Sequence, residues 1–341
     1  MVRSPLPPAL SRAVDTVLDA TVVPGFSAIG PRLRRRTEGW TPLDAYDLTG
    51  RTMLVTGVTS GIGRAAAHQL AADGARVLLL GRDAARTETV RAEIGAATGN
   101  RDLEVLVADM AEPDHVRAAA AAALALTDRL DGVLHNAGAL SDRRTENSVG
   151  VETTVAAQVV GPFLMTALLL DALRADGERG PGRVVTMSSG GMYASRLSVG
   201  GLQMTAHDYK GGEQYARAKR AQVTLNEMWA ERIDPAGERV VFHTVHPGWA
   251  ATPGVSTALP TFERVLRPVL RTPAEGADTA VWLLADDTEP LASTGGFWHD
   301  RHRRGIHRLP STRRSDTPTR RQQLWDAVAD LAGIDPTPST R

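Results

Sequence analysis

Tyr215 and Lys219 stand four residues apart in the run Tyr-Ala-Arg-Ala-Lys. On a helix that interval stacks both side chains on one face, and the surrounding pattern predicts a helix over residues 212–233. A phenol with an ordinary pKa of about 10 is a poor proton donor or acceptor near neutrality. An ammonium a few ångströms away favours the phenolate. A charge pair at ~4 Å and an effective dielectric of ~20 is worth about 4 kcal/mol before desolvation, enough for a shift of roughly two to three pKa units. The pair is therefore a candidate general acid/base, a role worth roughly 10²–10⁴-fold in rate. Ser189, just past the apolar run 183–187, offers a hydroxyl that can orient a substrate oxygen and share charge developing on it. Taken singly, these are also what an exposed helix face and a strand-end turn contain, so their meaning depends on the scaffold.

The scaffold is read from residues 56–63, Thr-Gly-Val-Thr-Ser-Gly-Ile-Gly. An apolar strand pattern (51–55) precedes it and an alanine-rich helix pattern (64–73) follows. Strand, glycine turn and helix are the context that a dinucleotide-binding turn requires. Gly57 permits the tight turn, Gly61 lets backbone approach a pyrophosphate, and Gly63 lets helix lie close on strand. Free N–H groups and the dipole at the helix start hold phosphate, so Gly57, Thr59, Ser60, Gly61, Ile62 and Gly63 form the candidate cradle. Further strand patterns follow at 76–80, 103–108, 130–135, 183–187 and 240–245, alternating with helix patterns at 83–97, 112–125, 150–174 and 212–233. This alternation predicts an α/β fold, a doubly wound parallel sheet of about seven strands with helices on both faces. Nineteen residues past Gly63 comes Arg82, directly after Gly81 and before Asp83. An arginine there suits an adenosine 2′-phosphate, which favours NADP over NAD. Arg64 is a second candidate contact, and Asp83 either caps the next helix or binds ribose.

The ordered series Thr56–Gly63, Ala108-Asp109-Met110, Asn136-Ala137-Gly138, Val185–Ser189, Tyr215–Lys219 and His246-Pro247-Gly248 resembles the short-chain dehydrogenase/reductase family over roughly residues 48–300. The stretches 215–223 and 246–255 are similar to its subgroup called dehydrogenase/reductase member 12, and Gly81-Arg82-Asp83 to its retinol-dehydrogenase-like, NADP-preferring branch. The resemblance implies a Rossmann fold and hydride transfer between a nicotinamide cofactor and a small-molecule carbonyl or alcohol. Tyr215 is then the acid/base, Ser189 the catalytic serine, and Lys219 also a ligand of the nicotinamide ribose. Asp109, with Met110 beside it, would bond the adenine amino group, and Asn136, Ala137 and Gly138 would lie along the adenosine ribose. Pro247 and Gly248 would face the nicotinamide, and Thr252 its carboxamide or the phosphates. Where the family carries an asparagine that holds a relay water, this chain has Gln158, whose amide sits one methylene further out. His135 replaces an asparagine before Asn136 and reads as a packing residue. The alternative function is a nucleotide-binding protein without efficient catalysis. Family members often pair through their long middle helices, so a homodimer or homotetramer is expected.

Residues 45–310 form the expected catalytic domain, with substrate-covering segments near 190–212 and 250–272 and a tail at 311–341 carrying a helix at 318–332. Residues 1–44 are an extension with an amphipathic helix over 9–23, ended by Pro24 and Gly25. The basic run Arg32–Arg36 reads as solvated and the helix as packed on its own domain; a membrane-surface anchor is disfavoured because Asp15 and Asp19 oppose anionic lipid. Lys and Arg total 39, as do Asp and Glu, which gives no general case for a nucleic-acid partner. There is no cysteine, which excludes disulfides and thiolate chemistry and agrees with an expected cytoplasmic location. No run of eighteen uninterrupted apolar residues predicts a spanning helix. His299, His302 and His307 lack the partners of a metal site, so no metal is expected.

Overall fold

The computed structural model describes residues 6–174, 180–233, 240–252, 264 and 266–335. Its centre is a single sheet of β1 (Thr52–Thr56), β2 (Arg76–Gly81), β3 (Leu103–Val107), β4 (Gly132–His135), β5 (Gly182–Met187), β6 (Val240–Val245), β7 (Gly296–His299) and β8 (His302–Arg304). The spatial order is β3-β2-β1-β4-β5-β6-β7-β8. The first seven strands are mutually parallel, and β8 is antiparallel to β7. The continuous apolar runs become strands buried on both faces, the property that marks a parallel sheet covered by helices. Chain order reverses between β1 and its neighbours β2 and β4, so the carboxyl ends of β1 and β4 open on a crevice, the usual ligand position of such sheets. The eighth strand extends the expected sheet: β7 turns back through Asp300 and Arg301, two non-glycine residues at positive φ.

The extension holds α1 (Pro8–Ala20), α2 (Val22–Phe26) and α3 (Ile29–Glu38). Then come α4 (Gly61–Ala72), α5 (Ala84–Thr98), α6 (Pro113–Leu126), α7 (Thr153–Arg174), α8 (Gly211–Ile233), α9 (Pro273–Ala285), α10 (Pro310–Ser315) and α11 (Pro318–Ala332). One face of the sheet packs on α4, α5 and α9 around Val55, Leu70 and Leu284, the other on α6, α7, α8 and α11 around Leu164, Leu169 and Trp325. Asp83 caps α5, its Oδ1 accepting from Arg86 N at 3.0 Å. Of its two expected roles, this structure displays the cap. Among the described residues α7 is the one helix long and apolar enough to cross a membrane, and it is largely buried in this core.

The extension corrects the sequence reading twice. Its first helix stops at Ala20, and residues 22–38 add two more helices. The basic run is not simply solvated: Arg34 is fully buried, donating from Nε to Asp15 at 2.7 Å and from Nη1 to Asp300 at 2.5 Å. Asp15 also pairs with Arg304, and Asp19 with Arg308, so both acidic groups are engaged within the chain. At the other end, α11 lies over α7 and α8, with Trp325 against Phe163 (4.8 Å between rings) and Trp229 (4.8 Å). The helix faces expected to meet a second subunit are thus partly covered by the chain's own tail.

Candidate active site

The phosphate cradle is a steric construction. Gly57 and Gly61 adopt φ of +74° and +58°, which L side chains rarely adopt. A Cβ on Gly57 would come within 2.8 Å of Ala137 Cα, and one on Gly63 would overlap Gly57 O and Asn136 Nδ2. Asn136 locks the turn from below: its Nδ2 donates to Thr56 O (3.0 Å) and Gly57 O (3.2 Å). Thr56 Oγ1 in turn accepts from the backbone N–H groups of Asn136 and Ala137, both at 3.0 Å. The side chain of Ser60, the residue preceding α4, makes no capping bond, which leaves first-turn N–H groups directed at the crevice. Uncapped donors, a positive dipole end and glycine where side chains would intrude together fit a dinucleotide pyrophosphate.

Thr59 packs beneath Gly81, and Arg82 beside it is exposed and makes no ion pair among the described residues. Arg64 is exposed but pairs with Glu93 at 2.8 Å. Asp109 is half-buried, its Oδ1 accepting from Ala111 N at 2.9 Å, and Met110 is buried. Gly138 lies against Gln158, whose Cδ would be 2.8 Å from a Cβ there.

At the carboxyl end of β5 the candidate catalytic groups converge. Ser189, two residues past the strand, is in extended backbone and starts the turn 190–194, its Oγ accepting from Gly191 N at 3.3 Å. Helix α8 is tied to the same strand end by two bonds: Ser188 Oγ donates to Lys219 O (3.2 Å), and Lys219 Nζ donates to Met187 O (2.8 Å). Lys219 Nζ lies 5.3 Å from the Tyr215 ring centre, as the four-residue spacing requires. Burial pushes the Tyr215 phenol above its ordinary value, opposed by a hydrogen bond with Ser189. Burial also pulls the Lys219 ammonium down to about 7. Tyr215, Ser189 and Lys219 thus form one contiguous group.

Gln158 belongs to the same neighbourhood. It lies in a widened, π-helical stretch of α7, Ala156–Val160, a distortion often found at functional sites. Its Nε2 donates to Ala139 O at 2.7 Å, while its Oε1 is buried without a partner among the described residues. Its backbone O accepts from Gln222 Nε2 at 2.5 Å, a contact the sequence did not signal. His135 is a packing residue: it is buried, its Nε2 is 2.9 Å from Thr166 Oγ1, and desolvation lowers its pKa to about 3.

The third wall is the turn after β6. Gly248 has φ +73°, and a side chain there would overlap the Arg271 guanidinium. His246, before Pro247, accepts from Gly190 N through Nδ1 at 3.1 Å, joining the Ser189 turn to the Pro247-Gly248 turn. Burial holds His246 well below the usual imidazole value, which keeps that acceptor unprotonated. Sequence reasoning singled out neither His246 nor Arg271, although the His-Pro-Gly run was in view. Thr252 is half-buried at the end of the described part of this loop. Of the expected covering segment 250–272, residues 253–263 and 265 lie outside the described residues. In the other, 190–212, Met192, Leu197, Leu202 and Met204 are all buried, and Tyr209 donates to the buried Glu152 at 3.0 Å. That stretch has the bonding of a packed insertion.

The histidines of the C-terminal region are dispersed. His299 is bonded to backbone, His307 contacts Arg220, and His302 lies near Asp15 and Glu38. Asp15 in that last group is already paired with Arg34 and Arg304.

Comparison with known proteins agrees with this geometry. A family model described as short chain dehydrogenase matches residues 51–261. The chain is 35% identical to human Dehydrogenase/reductase SDR family member 12 over 285 residues, 84% of this chain and 87% of the relative. It is 31% identical to human Retinol dehydrogenase 12 over 309 residues, 90% and 94% of the two chains. Among solved structures, a short chain dehydrogenase of Escherichia coli CFT073 complexed with NADPH superimposes with a TM-score of 0.61 at 27% identity, covering 77% of this chain and all of that one.

Proposed function

This chain belongs to the short-chain dehydrogenase/reductase family of oxidoreductases, and we propose that it interconverts a small-molecule carbonyl and alcohol with NADP(H), in the cytoplasm. What supports the reading is the meeting of Ser189, Tyr215 and Lys219 at the end of β5, beside a turn whose uncapped N–H groups suit a pyrophosphate. The cradle would hold the phosphates, and exposed Arg82 would take the 2′-phosphate that distinguishes NADP from NAD. A solved neighbour with NADPH supports the same choice. The bound cofactor would supply or accept the hydride.

The remaining chemistry falls to the protein. In the reductive direction Tyr215 delivers a proton from its hydroxyl to the carbonyl oxygen, and it takes that proton back in the oxidative direction. The Ser189 hydroxyl donates to the same oxygen and shares its developing charge. Burial pulls the Lys219 ammonium down to about 7, and in its charged form it favours the tyrosinate. Gln158 has a buried amide oxygen, without a partner among the described residues, that can accept from a water next to Gly138. Tyr215→Phe removes the proton and keeps the ring, so turnover should fall by about 10²-fold or more while NADPH affinity is kept. A carbonyl screen with NADPH reads the first, calorimetry the second, and retained turnover would overturn the mechanism.

A further inference from the structure

Residues 6–50 precede the part of the chain that the family model matches, yet they reach the centre of the candidate site. The end of α2 is inserted between its two turns. The Phe26 ring stands edge-on to His246 (4.4 Å), His299 (5.2 Å) and Trp249 (5.8 Å). It also fills the space over Gly190, where a Cβ would lie 2.9 Å from Phe26 Cε2. Phe26 O accepts from Trp249 N at 2.7 Å and from Arg271 Nε at 3.0 Å. Arg271 Nη2 donates to Gly25 O at 2.8 Å, and Ala28 N to Val269 O at 2.8 Å. The same Arg271 guanidinium lies under Gly248 and pairs with Asp300, which also holds Arg34 of α3. One buried network therefore joins the extension, the Ser189–Gly191 turn, the Pro247–Trp249 turn and the β7–β8 turn.

We propose that the N-terminal extension is a working part of the nicotinamide end of the site, with Phe26 a positioning residue that sets the spacing between the Ser189–Gly191 and Pro247–Trp249 turns. This rests on the cofactor reading above, in which the second turn faces the nicotinamide. The adenosine end is built from other parts. The glycine turn is held by Asn136 and Thr56, and among the described residues none of its hydrogen bonds involves the extension. The inference is therefore directional: loss of the Phe26 ring loosens one half of the cofactor site and spares the other. The ring is nearly rigid and boxed by three aromatic neighbours, so a small residue leaves a cavity into which His246 and Trp249 relax. The bond from Gly190 N to His246 then lengthens, and the two turns lose their common anchor.

The test compares full-length protein with Phe26→Ala and Phe26→Leu, using two probes by calorimetry. NADPH spans both halves of the site, and adenosine 2′,5′-bisphosphate occupies the adenosine half alone. Nicotinamide fluorescence of bound NADPH is recorded in parallel. Phe26→Ala should weaken NADPH about tenfold and change its fluorescence, with the bisphosphate held within about twofold, and Phe26→Leu should lie between. If Phe26→Ala does not fold, Phe26→Leu carries the comparison. Equal weakening of both probes would make Phe26 a general structural support and overturn the proposal, as would no change in either. Failure of the unmodified protein to bind either probe would overturn the cofactor reading, and this inference with it.

Discussion

Lys219→Met should make the nucleotide-free protein more stable near pH 6 while abolishing turnover. Lys219 is buried, and among the described residues its one hydrogen-bond acceptor is Met187 O; burial takes its pKa from 10.5 to about 7. Between these two values the unfolded chain binds the proton and the folded chain releases it, so stability rises with pH across that window. Below about 7 both states are protonated and the full penalty stands. At 1.36 kcal/mol per unit, that penalty is about 5 kcal/mol near pH 6 and falls to about 2 kcal/mol near pH 9. Methionine matches the length of the stem, and losing the bond to Met187 O costs about 1–2 kcal/mol. The net gain at pH 6 is then about 3 kcal/mol, a rise in Tm of about 4 °C for a chain of this size. Thermal unfolding of both proteins from pH 6 to 9 reads the effect. A Tm for Lys219→Met below that of the unmodified protein at pH 6, or a difference that does not shrink toward pH 9, would refute the reasoning.

Two further outcomes follow from packing. Gly63→Ala would drive a methyl group into Asn136 Nδ2 and Gly57 O, and should cost about 2–4 kcal/mol in overpacking and broken turn bonds. It should also weaken NADPH at least tenfold, read by thermal unfolding and calorimetry; unchanged binding would show that the cradle is not where we place it. Because α11 covers part of α7 and α8, the protein should sediment as a monomer at micromolar concentration, and a dimer in analytical ultracentrifugation would require another face or a displaced tail.

What was legible in the sequence was what depends on local pattern. Continuous apolar runs such as Val77–Leu80 gave the strands, and the glycine turn and the Tyr215–Lys219 spacing gave the site elements their places. Long-range charge pairing was not legible. Arg34 reads as part of a solvated run because its partner Asp300 is 266 residues away, and nothing in local periodicity marks it as the buried member. Arg271 is hidden for the same reason: its partners are backbone carbonyls at 25–27 and Asp300. The cover that α11 gives to α7 and α8 is equally non-local. The helix pattern over 318–332 did not show which surface would receive it. The departure at Gln158 was visible, but the widened helix around it and the bond from Gln222 come from packing between α7 and α8.

The central claim is that the glycine turn and Arg82 form an NADP(H) site serving the Ser189–Tyr215–Lys219 group. Calorimetric titration with NADPH and with NADH, on the unmodified protein and on Arg82→Ala, tests it most directly. The account predicts tighter binding of NADPH than NADH, and a loss of about tenfold for NADPH alone in Arg82→Ala, the size of one phosphate contact. Equal affinities unaffected by Arg82→Ala, or no binding of either nucleotide, would contradict it.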